Sequence, residues 1–102
     1  MSSRIYILFG IFLISFGVHA SNTYCHDCQL MINQCKSFFK NDFRLVTSDE
    51  LLKELTYLCD QSFAGYDNTQ CKTISNANVG LILSDLKNGI SPSKICAHIQ
   101  MC

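Results

Sequence analysis

Two kinds of apolar pattern run along this chain. Ile5 to Phe16 is an almost unbroken apolar run, whereas from Tyr24 onward apolar residues recur every three or four positions, the spacing of helices with one buried face. The spacing predicts a first helix from about Tyr24 to Phe39, with Tyr24, Cys28, Met31, Ile32, Cys35, Phe38 and Phe39 inward and Asp27, Gln34 and Lys36 turned away. Asn41-Asp42 predicts a break. A second helix opens at a capping box, Thr47 with Glu50, and buries Leu51, Leu52, Leu55, Leu58, Cys59 and Phe63 while Lys53, Glu54 and Asp60 take the wet side. Gly65-Tyr66-Asp67-Asn68 reads as a turn, and a third stretch from about Thr69 to Lys87 carries Cys71, Ile74, Ala77, Leu81 and Leu86, with Gly80 as a point where it splits. Asn88-Gly89 is a stop signal; Ser91-Pro92 opens the last helix as N-cap and first helical residue. Val79 to Leu83 alone resembles a buried strand, but it has no partner strand. The fold class expected is therefore all-α, a bundle of four to five short amphipathic helices, with no repeat, linker or second domain.

The N-terminal run changes the picture of where the chain works. Arg4, the apolar segment Ile5 to Phe16 and Val18-His19-Ala20 have the order of a secretory signal peptide, residues 1–20, leaving 21–102 as the single folded domain. A membrane anchor is the alternative, but the run is short for a span of about 20 residues and polar Ser21-Asn22-Thr23 follows at once. Without the signal, seven basic residues face eight acidic ones. Such a balance excludes a polycation, and with it nucleic-acid binding through a basic stripe or attraction to anionic membranes by net charge alone.

A domain this small buries a smaller share of its surface than a larger one, so its core alone gives only marginal stability and covalent help is expected. All seven cysteines follow Ala20, and an exported chain matures where disulfides persist; six pair and one is left over. Six cysteines allow about 15 connectivities. A nested arrangement, Cys25 to Cys102, Cys28 to Cys96 and Cys59 to Cys71, would staple the terminal helices and lock the middle hairpin, the longest loop contributing roughly 4 to 5 kcal/mol on the chain-entropy account.

Cys25-His26-Asp27-Cys28 near the mature N-terminus, Cys59 and Cys71 separated by eleven residues, and the ending Ile95-Cys96-Ala97-His98-Ile99-Gln100-Met101-Cys102 resemble the saposin B-type cysteine pattern. The likeness covers essentially the whole mature chain and is greatest to the small pore-forming members, the amoebapores and caenopores. It implies a saposin-like leaf of helices with the nested pairing above, no cofactor, and a protein that binds lipid, extracts it or perforates microbial membranes. Staples at both ends of a two-leaf hairpin leave the leaves free to hinge, so that faces packed together in water open onto acyl chains. Met31, Phe38, Phe39, Leu51, Leu55, Leu58, Leu81 and Leu86 are the candidates for core or lipid contact.

Two features depart from the pattern. Many antimicrobial members are cationic, and this chain is near neutral; protonation of His26, His98 and some carboxylates would make it cationic, so acid-favoured action in a gut or lysosome-like lumen is an expectation. The amoebic members carry a histidine implicated in pH-dependent assembly two residues before the last cysteine, where this chain has Gln100; that role is not transferred to His98. Cys35 is the second departure. It is read as a buried free thiol, as an intermolecular bridge joining a homo-oligomer, or as a partner in shuffling.

Other chemistries fit less well. Cys25, His26 and Cys28 with Cys96, His98 and Cys102 form a zinc-like set, and CxxC a redox-like pair, but both suit a reducing compartment better. No motif sets a nucleophile beside a base, so no enzyme is expected. The sequence thus points to a secreted or lumenal protein whose partners are membrane lipids and which permeabilises microbial membranes in defence or digestion. The alternative is a non-lytic carrier or activator that presents lipid to an enzyme.

Overall fold

The computed structural model describes residues 23–102; the expected signal segment 1–20 lies outside them, and so does the start of the mature domain. The described residues are all-helical: α1 covers 23–38, α2 Ser48–Ser62, α3 Gly65–Lys87 and α4 Pro92–His98, with no strand among them.

Local chemistry sets most helix ends. Thr47 caps α2 reciprocally: its hydroxyl accepts the Glu50 amide proton, and the Glu50 carboxylate accepts from the Thr47 N–H at 2.9 Å. Ser91 caps α4, its hydroxyl accepting from the Lys94 N–H, and Pro92 takes the first turn where no amide donor is needed. Three helices close with the same left-handed reversal, in which the amide two past the cap reaches back to the carbonyl five residues earlier: Asn41 to Lys36, Ile90 to Asp85 and Met101 to Cys96. The left-handed residue is Gly89 after α3, Gln100 after α4 and Lys40 after α1, where Asn41 also has a φ of 57°.

The linker between α2 and α3 differs from the expected turn. Phe63 and Ala64 are extended and make the reversal, and Gly65 to Asn68 become the first turn of α3. Gly65, at a φ of 59°, enters the helix in a conformation other residues resist, and Asp67 lies in the first turn, where the helix dipole favours an acid. Residues that discourage helix interiors are harmless there because those amides have no intrahelical acceptor. Nor does Gly80 split the element. α3 runs unbroken for 23 residues.

The core is one cluster, built from Cys28, Met31, Ile32 and Cys35 of α1, Leu51, Leu55, Leu58 and Cys59 of α2, Cys71, Ile82, Leu83 and Leu86 of α3, and Ile95 and Cys96 of α4. Phe43, Phe63, Ile99 and Met101 complete it from the connections and the C-terminus. Of the apolar positions assigned to core or lipid contact, Met31, Leu51, Leu55, Leu58 and Leu86 are buried and Phe39 is half-buried, whereas Phe38 is 61% and Leu81 43% exposed. Phe38 ends α1 and Leu81 points outward from the middle of α3, where no neighbouring helix covers them.

Candidate functional site

Disulfides divide the bundle into two covalent leaves. Cys25 is bonded to Cys102 and Cys28 to Cys96, tying α1 to α4 and the C-terminus; Cys59 is bonded to Cys71, tying α2 to α3. None crosses between the pairs. The leaves are joined only by the segments 39–47 and 88–91 and by what packs between them.

What packs between them is mostly apolar. The Met31 thioether of α1 lies 3.6 Å from Cys71 Sγ and 4.0 Å from Cys59 Sγ, seated on the disulfide of the opposite leaf. Tyr24 stacks on Phe63 at 5.3 Å between ring centroids, and burial there, with the Asp67 charge, pushes the Tyr24 phenol up from its ordinary value. One histidine–carboxylate hydrogen bond crosses the seam among the described residues: His98 Nδ1 of α4 meets the nearly buried Asp85 carboxylate of α3 at 2.6 Å. The pair Lys72–Asp60, at 2.6 Å, stays within the α2–α3 leaf and, with a hydrogen bond from Asn68, holds the Asp60 carboxyl below its usual range.

Cys35 is the remaining thiol, fully buried in this seam. Burial first, and the Glu54 charge from α2 second, push it up to about 12, so it stays protonated and unreactive in the closed bundle. Such a thiol reaches a second copy only if the leaves part. Glu54, assigned to the wet side of α2, is half-buried and its carboxyl is raised by desolvation. His26, by contrast, is exposed on the outer face of α1.

The bonded cysteines answer the zinc-like and redox-like readings. Cys25, Cys28, Cys96 and Cys102 have no thiolate to offer a metal, and Cys25 and Cys28 pair with the C-terminal cysteines rather than with each other. Among the described residues no group of three or more His, Cys, Asp and Glu side chains is arranged to hold an ion, and no helix is long and apolar enough to cross a membrane.

At the end away from the staples the surface changes character. Phe38, Phe39 and Phe43 form a ladder, with centroid separations of 4.9 and 5.5 Å; Phe43 is buried and Phe38 faces solvent. Leu45, in the following loop, is 91% exposed. Lys36, Lys40 and Arg44 alternate with these apolar residues, and a shallow cavity of about 470 Å³ beside them is lined by Asn41, Asp42, Phe43, Arg44, Leu86 and Lys87. Arg44 forks onto Asp42, its Nε and Nη2 donating at 2.9 and 2.8 Å, which brings the Asp42 carboxyl down to about 2. A second shallow groove, of about 570 Å³, runs along α2 past Leu52 and Thr56 and is ringed by Asp49, Glu50 and Lys53.

The chain matches no protein-family model, no curated protein and no solved structure.

Sequence reasoning missed Phe43 and Leu45, because helical spacing has nothing to say about a connection whose apolar residues alternate with charges. The residues that discouraged a helix at 40–44 were the visible signal. It also missed the pairing of His98 with Asp85, since the two stand 13 positions apart across a helix end and a turn whose geometry no local pattern specifies.

Proposed function

We propose that this protein acts on lipid membranes, as a saposin-like chain that binds and permeabilises microbial bilayers after export. The observation that carries the reading is the distribution of the disulfides: each leaf is closed on itself, and nothing covalent but the two connections holds the leaves together. Parting them at 39–47 and 88–91 would break no disulfide and would present Met31, Ile32, Leu51, Leu55, Leu58 and Leu86 as two apolar faces. In water that exposure is prohibitive, at about 25 cal/mol per Å² of apolar surface; against acyl chains it is not. Disulfides supply stability within each leaf that survives the parting of the seam, which suits an oxidising extracellular or lumenal site.

Cys35 reports on this directly. With vesicles of bacterial lipid, a maleimide that leaves the thiol untouched in buffer should modify it as dye escapes from the vesicles. Dye release with Cys35 still protected would mean permeabilisation by the closed bundle. Labelling and lipid transfer without dye release would favour the carrier reading. Neither labelling nor release, with no transfer, would reject a role on membranes.

A further inference from the structure

The reading above leaves open which part of the molecule first meets the bilayer. The geometry points to the disulfide-free end as the docking site for an anionic lipid surface: Phe38 and Leu45 enter the interface while Lys36, Lys40, Arg44 and Lys87 take the headgroup phosphates. This inference rests on the membrane reading and adds the site and the lipid class.

Charge placement argues for it where net charge did not. The chain is near neutral as a whole, yet residues 36–46 hold three cations against a single acid, Asp42, so that after Arg44 pairs with Asp42 the segment keeps the uncompensated charge of Lys36 and Lys40. Lys87, at the end of α3, lines the same cavity as Asn41 to Arg44 and adds a fourth cation. Of the further acids, Asp49 and Glu50 lie in the first turn of α2, where Glu50 is committed to the cap of Thr47, and Asp85, two residues before Lys87, is buried against His98. Cations near a membrane surface each contribute about 1 kcal/mol of attraction to anionic lipid.

The apolar residues complete the fit. Phe38 and Leu45 are large, exposed and flanked by long cationic side chains that keep their charge at the headgroups while their stems follow the apolar surface inward. Elsewhere the large exposed apolar residues have different company: Leu30 stands among His26, Asp27 and Gln34 of α1, Tyr57 among Lys53, Asp60 and Gln61 of α2, Tyr66 beside Asp67 and Gln70 of α3, and Leu81 among Ala77, Gly80 and Ser84. None of the four has a cluster of Lys and Arg around it. The docking end also contains 39–47, one of the two connections on which the leaves would part, so insertion there acts on the hinge itself.

The test uses the oxidised chain and vesicles of phosphatidylcholine with or without phosphatidylglycerol. Leu45→Trp, the chain having no native tryptophan, should shift to the blue and be quenched by brominated acyl chains on the anionic vesicles, while Tyr57→Trp should do neither. Phe38→Ser with Leu45→Ser should lower partitioning about tenfold, and Lys40→Gln with Lys87→Gln, which leaves the Arg44–Asp42 pair in place, should remove most of the preference for the anionic vesicles. All these side chains are exposed or lie at the rim, so the variants should keep the circular dichroism of the parent. Equal quenching of both tryptophans, or full binding by the serine variant, would overturn this docking site while leaving the membrane reading intact. Absence of binding by the parent to every vesicle would overturn both.

Discussion

Met31 and Phe38 stand two turns apart on α1 and meet opposite fates. Met31 is fully buried on the Cys59–Cys71 disulfide, at the end of the bundle where all three staples gather; Phe38 is 61% exposed at the end that has none. The stapled end is held by covalent closure and dense apolar contact. At the free end the ring ladder ends in solvent, the turn after α1 sets Lys40 and Asn41 in left-handed conformations, and cations surround the exposed apolar residues. The contrast teaches that stability and exposure have been separated along the molecule. One end keeps the fold while the other presents apolar and basic side chains to solvent.

The sharpest way to break that comparison is to remove the staples. The two terminal disulfides are nested, so breaking Cys25–Cys102 alone leaves the ends joined at Cys28–Cys96 and should cost little, about 1 kcal/mol. Replacing all four cysteines with alanine should cost about 4 kcal/mol or unfold the chain at physiological temperature, measured by urea denaturation. A small loss in the quadruple variant would show that the core alone suffices. Next in size is Met31→Ala, expected to cost about 2 to 4 kcal/mol for the cavity it leaves on the disulfide, against less than about 0.5 for Phe38→Ser. Equal costs would erase the distinction between the ends.

His98→Ala removes the hydrogen bond to Asp85 across the seam and should lower stability by about 1 kcal/mol while speeding maleimide labelling of Cys35 several-fold; Asp85→Asn should do the same. Unchanged labelling would mean the leaves are held by apolar contact only. Lys40→Gly should stabilise by up to about 1 kcal/mol, because glycine adopts the left-handed turn after α1 without steric cost. That gain would identify the conformation as strain carried at the free end.

Mild acid should have the smallest effect. The carboxyls of Asp42 and Asp60 are held below their ordinary 3.8 by Arg44 and Lys72, so their contribution is fully present above that value and is lost only as the pH falls through it toward the lowered range. Glu54 is shifted the other way by desolvation, so the fold favours its protonated form and acidification relieves it. The thermal midpoint should therefore change little from pH 7 to about 4.5 and fall only slightly on account of these two exposed pairs below about 3.5. A midpoint already dropping near pH 6 would contradict these shifts and would argue against work in an acidic lumen.

How much of this was legible depends on the element. α2 was readable throughout because every signal agrees there: a capping box, apolar residues every three or four positions, and charges on the opposite face. α3 was readable from Thr69 to Lys87 but not at its start or in its continuity through Gly80. Its apolar and polar residues are scarcely segregated, because the helix is covered along only part of its length, and Gly65 to Asn68, turn residues by type, were recruited into its first turn. Phe38 and Leu81 carry the right spacing for a core, but spacing tells which residues share a face and not whether anything covers it.

By itself, then, the sequence determined the helical class, the capped starts of α2 and α4, the stop at Gly89 and a cysteine framework too large for so small a domain to be without. These depend on contacts within a few residues or on composition. Tertiary structure alone decided that the staples gather at one end, that Cys35 is sealed between the leaves, that Asp85 receives His98, and that Phe38, Leu45 and four cations share the other end. Each of these is a meeting of segments far apart in the chain, and such meetings are set by how the helices pack, which no local pattern encodes.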